Sequence, residues 1–259
     1  MRGVILAGGF GSRMSPISKV INKHLLPVYS TKQGAVPMLY YPINTLVRSG
    51  ISDILIITSD EAAGLIIETM GDGKKFGSKV DFTYKIQNMH DPLRPCGIAS
   101  ALSLSRHFVG DEPFTVILGD NFYENEFSFD FNNFSKSREL AHVFLKEVYD
   151  PERFGVATIE NNKIISIIEK PKHSVSKLAV TGLYLYKSSV FSIIDELKPS
   201  ERNELEVSDV NATFLSSGDL CYSKIAGFWR DMGVPFSMRE TEDFINKVEF
   251  RHEFSKDLQ

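Results

Sequence analysis

Gly8, Gly9 and Gly11 fall within four consecutive residues behind an apolar run, Gly3-Val4-Ile5-Leu6-Ala7. Ser12 and Arg13 follow, and Lys23 stands ten residues beyond Arg13. Glycines have no Cβ, so their backbone N–H groups can come close to a ligand. Successive N–H groups in such a loop form a concavity for anions. Arg13 contributes a planar fork of donors and Lys23 a mobile point charge. The pattern predicts a loop that grips a nucleoside triphosphate. It is not a Walker A loop, which needs Gly-x-x-x-x-Gly-Lys-Ser/Thr, nor a dinucleotide fingerprint, because Gly9-x-Gly11-x-x ends on Met14.

Two aspartates sit beside glycines after strand-like runs, Leu118-Gly119-Asp120-Asn121 and Trp229-Arg230-Asp231-Met232-Gly233. A carboxylate at the carboxyl end of a buried strand is placed to hold a hard cation. The Leu118–Asn121 tetrapeptide alone also reads as a turn aspartate capping the next segment. Glu169-Lys170-Pro171 closes another strand, and by its residue types alone is a solvated strand-end ion pair.

These groups need strands to present them. Residues 2–7, 53–58, 80–86 and 114–118 read as strands, and 37–49, 61–70 and 97–108 as helices. Pro37 early and Gly50 just past the end mark the first helix. This rhythm predicts a Rossmann-like, doubly wound sheet flanked by helices, whose ligands sit beyond the carboxyl ends of strands. The second half is richer in β, with strands at 141–148, 155–159, 163–169, 179–186 and 220–226. Asn161-Asn162 reads as a hairpin turn. Helices are expected at 188–197, 207–217 and 235–249. With no repeat or linker, the reading is one α/β domain over 1–259, comprising a nucleotide-binding half (1–125) and a β-rich, substrate-side half (126–259).

The segment GGFGSRMSPISKVINKHLLPVY closely resembles the N-terminal motif of the sugar-1-phosphate nucleotidylyltransferases, GGxGTRLxPxTxxxxK followed by LLPV. Arg13, Pro16, Lys23 and Leu25-Leu26-Pro27-Val28 fall in register. LGDN, R-[YF]-G-V (Arg153 to Val156), EKP, AVTGLY (Ala179 to Tyr184), R-x-E-L-E from Arg202, and W-x-D-x-G follow in family order to about residue 245. The resemblance is greatest to the bacterial glucose-1-phosphate thymidylyltransferase branch, through VPMLYYPI, DPERFGV and ELEVSDVN. It implies that Asp120 and Asp231 hold Mg²⁺, that Arg13 meets the leaving pyrophosphate and that Lys23 meets the α-phosphate. It places Leu6, Gly8, Gly9, Gly11, Ser12, Gln87 and Gly97 against the nucleotide. Gly155, Glu169, Lys170, Val180, Gly182, Arg202 and Trp229 are placed against the sugar phosphate. The implied reaction joins an NTP, foremost dTTP, to a sugar 1-phosphate, foremost glucose 1-phosphate, with release of pyrophosphate. Uridylyl or cytidylyl transfer, or a non-catalytic sugar-nucleotide-binding homologue, are the alternatives.

Departures from the branch are local. Seven residues (30–36) separate Tyr29 from Pro37 and nine (88–96) separate Gln87 from Gly97, where the branch has two and four. His24 replaces the glutamine after the lysine. Set against longer members of the family, a reduced C-terminal extension, the part linked to feedback control, is expected. The net charge of -4 argues against a nucleic-acid partner or an anionic membrane surface. No apolar run reaches the length of a membrane span. No signal peptide is expected, and Cys96 and Cys221 read as reduced thiols of a cytoplasmic protein. A homo-oligomer is expected. A nicotinamide oxidoreductase is disfavoured by the missing third glycine.

Overall fold

The structure is a computed structural model that describes residues 1–9, 11–89, 95–173 and 176–248. In chain order the strands are β1 (Arg2–Ala7), β2 (Pro27–Ser30), β3 (Gly34–Pro37), β4 (Asp53–Ser59), β5 (Asp81–Gln87), β6 (Phe114–Leu118) and β7 (Asn121–Tyr123). They continue as β8 (Ala141–Glu147), β9 (Gly155–Glu160), β10 (Lys163–Glu169), β11 (Leu178–Tyr186), β12 (Leu220–Lys224) and β13 (Trp229–Asp231). The helices are α1 (Tyr40–Arg48), α2 (Ala63–Met70), α3 (Ile98–Ser103), α4 (Arg106–Val109), α5 (Ser128–Lys136), α6 (Val190–Glu196), α7 (Val207–Ser217) and α8 (Pro235–Lys247). By contact density the chain divides into two interleaved compact units. Of the described residues, one comprises those of 2–89, 117–128 and 227–248, and the other those of 95–116 and 129–226 together with Met1.

In the first unit, β1, β4 and β5 run parallel, with Gly3 opposite Ile54 and Asp53 opposite Asp81. β1 and β4 are buried almost throughout, as continuous apolar runs in parallel strands require. α1 packs on β1 and α2 on β4. A short antiparallel ribbon pairs β7 with β13, placing Trp229 opposite Tyr123 and Asp231 opposite Asn121. Its other face carries Phe122, which packs at 5.8 Å from Phe228 and 5.9 Å from Phe244. Those two rings stack on each other at 4.1 Å. Arg230, also on that face, reaches Glu240 of α8 with two bonds of 2.9 and 3.2 Å. The ribbon is thereby clamped to α8 by apolar and ionic contacts together.

In the second unit the order β10-β9-β11 is antiparallel, β8 pairs antiparallel with β11, and β12 adds in parallel to β8. The hairpin turn between β9 and β10 is Asn161-Asn162, both with positive φ, as a tight turn requires. α7 packs against β10. The mixed α/β class expected from the sequence is the class observed.

Three local expectations are corrected. Residues 30–37 do not lead into a helix beginning at Pro37. Gly34–Pro37 is a strand, and α1 starts at Tyr40. The Met38 and Leu39 amides bond to the carbonyls of Leu26 and His24, and Pro37 pairs with Pro27, which ties the proline into the β2/β3 ribbon. The single helix expected at 97–108 is two, broken where the Ser105 side chain and amide both bond to the Leu102 carbonyl. The strands β7 and β13 and the helix α5 were not anticipated at all.

Candidate active site

The first unit gathers the predicted phosphate and metal residues. β1 ends at Ala7, and Gly8 follows beside the Thr58–Ser59 backbone of β4. A Cβ on Gly8 would lie 3.1 Å from Oε1 of Gln87, so the buried Gln87 amide faces the start of the glycine loop. Gly11 has φ +63°, which favours glycine, and opens a tight turn over Ser12–Met14. A Cβ there would meet Lys23 Cβ at 3.1 Å, and one on Gly9 would meet Lys23 Nζ at 3.7 Å. The Lys23 chain therefore runs along the loop, and its ammonium donates to Asp120 Oδ2 at 2.5 Å. Leu6 is buried in β1, and its carbonyl accepts from the Gly119 amide at 2.9 Å, which seats Asp120 beside the loop.

Asp120 and Asp231 are brought together by the β7/β13 ribbon, since Asp231 pairs with Asn121 and the Met232 amide donates to the Asp120 carbonyl at 2.8 Å. The Gly233 amide donates to Asp231 Oδ1 at 2.6 Å. A Cβ on Gly233 would lie 2.6 Å from Asp231 Oδ1, 3.1 Å from an Arg13 guanidinium nitrogen and 3.3 Å from Asp120 Oδ2. Two carboxylates and one guanidinium thus converge on a point that only glycine leaves free. Arg13 stands 3.9 Å from Asp231 Oδ2 and is half exposed, with its fork open to an arriving anion.

The two carboxylates differ electrostatically. Burial would raise Asp120, but the Lys23 ammonium, its hydrogen bond and the Asn121 amide hold it well below the usual carboxylate range. Asp231 is raised, by burial and then by the Asp120 charge, against the opposing pull of Lys23, Arg13 and the Gly233 amide. His24 is pushed down to about 3, by burial and then by the Lys23 charge. It is therefore neutral at pH 7. Its backbone N–H and Nδ1 both meet Asn22 Oδ1, at 3.0 and 2.8 Å. Its ring fills the space beside Gly119, where a Cβ would clash at 2.8 Å.

In the second unit Gly155 pairs with Glu169 across β9 and β10. A Cβ on Gly155 would come 3.3 Å from Glu169 Oε2 and 3.9 Å from the Val180 side chain. Lys170, with φ +42°, turns its ammonium to Glu169 Oε1 at 3.0 Å. Arg202 lies 3.8 Å from the same oxygen, 3.7 Å from Glu204 and 2.7 Å from Glu206. Gly155, Glu169, Lys170, Val180 and Arg202 therefore form one cluster. Gly182 is buried in β11, within the register shift between Val180 and Tyr184.

Two predicted residues have internal duties. Gly97 has φ +112°, and a Cβ there would strike the Leu205 carbonyl at 2.4 Å, so its glycine is required by the Leu205 backbone. The Trp229 indole is buried and donates to Asn121 Oδ1 at 2.8 Å. The sequence reading passed over Asn121, although it adjoins Asp120. Of the loop 88–96, residues 90–94 lie outside the described residues.

Among the described residues no group of three or more His, Cys, Asp or Glu could cage a metal, and no helix is long and apolar enough to cross a membrane. A glycine-lined anion loop ahead of a paired-aspartate centre, in a mixed α/β fold, defines a protein that handles nucleoside phosphates. The chain belongs to the nucleotidyl transferase family, whose model matches residues 2–248. It is 39% identical to a glucose-1-phosphate thymidylyltransferase of Neisseria meningitidis, over 96% of this chain and 84% of that one. It is 40% identical to one of Xanthomonas campestris, over 96% and 82%. A Bacillus anthracis structure assigned as a glucose-1-phosphate thymidylyltransferase, in complex with a sucrose, superposes with a TM-score of 0.87. It is 45% identical, with 97% of each chain covered. A UDP-glucose pyrophosphorylase complexed with UDP-glucose shares the fold with a TM-score of 0.79 at 23% identity, over 95% of this chain and 98% of that one.

Proposed function

We propose that the protein transfers a thymidylyl group from dTTP to glucose 1-phosphate, giving dTDP-glucose and pyrophosphate. The observation that carries this reading is the convergence of Asp120, Asp231 and Arg13 on the open point at Gly233, beside Lys23 and the glycine loop. The relatives named above supply the nucleotide and the sugar.

The attacking sugar phosphate is already an anion, so no side chain has to remove a proton. Rate enhancement comes from positioning and from neutralising charge. The amides of Gly8, Gly9, Gly11 and Ser12 would cradle the triphosphate, with Gln87 reading the base. Arg13 would hold the departing pyrophosphate, and Lys23 would neutralise the α-phosphate. Glu169 would take sugar hydroxyls, and Lys170 with Arg202 would take the sugar phosphate.

Mg²⁺ fits the donor set, because it is commonly held by one or two carboxylates with substrate phosphates completing its shell. Asp120 and Asp231 would hold it, and when bound it would neutralise phosphate charge. Pyrophosphate release, measured across a grid of NTPs and sugar 1-phosphates with Mg²⁺, tests the reading. The highest kcat/KM should fall on dTTP with glucose 1-phosphate. A preference for UTP or CTP would replace the nucleotide assignment, and no turnover in any cell of the grid would sink the enzyme assignment.

A further inference from the structure

We propose that Trp229 and Asn121 form a positioning relay that sets the orientation of Asp120 toward its metal ion, an inference that rests on the Mg²⁺ assignment of the proposed function. The Trp229 indole donates to Asn121 Oδ1 at 2.8 Å, and Asn121 Nδ2 donates to Asp120 Oδ1 at 3.0 Å. An indole N–H can only donate and a carboxylate can only accept. The Asn121 amide therefore has a single orientation that satisfies both neighbours. The Tyr123 hydroxyl, 3.5 Å from the same Asn121 oxygen, faces it with a further donor. All four side chains are buried, so water does not compete for these bonds.

The consequence falls on Asp120. With Oδ1 engaged by Asn121, Oδ2 is the oxygen that meets Lys23 at 2.5 Å and lies 3.3 Å from the Gly233 point shared with Asp231 and Arg13. Rotation of the carboxylate away from that point breaks the bond to Asn121. The relay stands on the ribbon whose β13 carries Asp231 and whose β7 begins immediately after Asp120. Trp229 and Asp231 share one face of β13, opposite Tyr123 and Asn121 of β7. The resemblance to the family had placed Trp229 against the sugar phosphate. Here the only polar atom of its side chain is directed to Asn121, and the residue is 3% exposed.

Trp229 is the only tryptophan in the chain, so its indole can be replaced or observed without interference. Two variants of the full chain separate the roles. One carries 3-benzothienylalanine at position 229, which keeps the bicyclic shape and replaces the N–H by sulfur. The other is Asn121→Ala. Thermal melting establishes that both are folded. Three readouts follow. In protein labelled with ¹⁵N at tryptophan, the single indole resonance should move in Asn121→Ala before any ligand is added. Binding of Mn²⁺ with dTTP, followed by electron paramagnetic resonance, should weaken about tenfold in both variants, the usual effect of losing a group that orients a metal ligand. The Mg²⁺ half-saturation of turnover should rise in parallel, while KM for glucose 1-phosphate stays within about twofold, because ground-state sugar binding is not touched.

An unmoved indole resonance, or unchanged Mn²⁺ affinity in both variants, overturns the relay. A benzothienyl chain that raises only KM for glucose 1-phosphate assigns Trp229 to the sugar. Wild-type protein that binds Mn²⁺ with dTTP but releases no pyrophosphate with any sugar 1-phosphate sinks the proposed reaction and leaves the relay standing.

Discussion

The Lys23–Asp120 pair of the first unit is buried, whereas the Lys170 and Arg202 cations that face Glu169 in the second are half exposed. Lys23 and Asp120 have side chains 13% and 8% exposed, whereas Lys170 and Arg202 are 43% and 45% exposed. Buried charges are screened little, so their partners and their spacing are set. Asp120 accordingly has named partners on both oxygens. Exposed pairs contribute little each and exchange partners readily. Arg202 has three carboxylates within 4 Å and can turn from one to another or to an arriving phosphate. The first arrangement suits chemistry that is the same for every substrate. The second suits a sugar whose identity can differ while the reaction stays the same.

The sharpest break of this contrast lies between the two aspartates. Asp120→Asn and Asp231→Asn should each lower kcat about 100-fold or more, the scale seen when a charge-stabilising group is lost. Their stabilities should diverge. Asp120 is depressed and pairs a buried ammonium, so Asp120→Asn leaves Lys23 unneutralised and should cost about 3 kcal/mol. Asp231 is raised, so its charge is a burden to the fold, and Asp231→Asn should leave the melting temperature unchanged or higher. Equal losses of stability in urea denaturation would erase the asymmetry. In the second unit Lys170→Ala should raise KM for the sugar 1-phosphate about tenfold, as the loss of one charge-assisted contact does, with little change in kcat. A fall in kcat at unchanged KM would place Lys170 in the transition state instead.

Burial also sets a dependence on pH in the first unit. His24 has its folded value near 3, against about 6.5 in an unfolded chain. The unfolded chain takes up a proton that the folded protein refuses. Stability is therefore full above about pH 6.5 and falls below it, by about 1.4 kcal/mol per unit once the unfolded histidine is charged. His24→Gln, which restores the residue usual at this place in the family, should flatten the loss of stability between pH 7 and pH 5. Parallel curves for the two proteins would show that other groups govern that range.

The parts of this architecture that were legible in the sequence share a physical character. β1, β4 and β6 are continuous apolar runs buried in sheets, and such runs announce themselves. The glycine loop, Arg13 and Lys23 are local in sequence, so their spacing alone was informative. β7 and β13 are three residues each and owe their existence to one another across more than a hundred residues. No periodicity marks so short a ribbon, and Asn121 was passed over with it. The helix expected from Pro37 failed for a related reason. Long-range bonds from Met38 and Leu39 outweighed a favourable proline position. Gly97 was assigned from the family motif to the nucleobase, while in the structure its backbone freedom already serves the close approach of Leu205.

The smallest expected effect belongs to residues 30–36, which stand outside both clusters. They form the tip and second strand of the β2/β3 hairpin rather than an unstructured insertion. The hairpin leans on α8. The Tyr29 and Thr31 amides donate to Glu242 and Asn246, each at 2.8 Å, and Asn246 Nδ2 donates back to the Tyr29 carbonyl at 3.4 Å. α8 in turn holds β13 through Glu240 and Arg230. A path of contacts thus leads from the hairpin to the strand that carries Asp231, but each bond to the hairpin is exposed and contributes on the order of 1 kcal/mol or less. Trimming 30–36 to two residues should lower the melting temperature by about 2–4 °C, the shift that losing about 1 kcal/mol produces in a domain of roughly this size. The ranking of NTPs and sugar 1-phosphates in the pyrophosphate assay should not change. A reordered ranking would mean that the hairpin acts on Asp231 through α8, and the buried centre would then owe part of its geometry to an exposed loop.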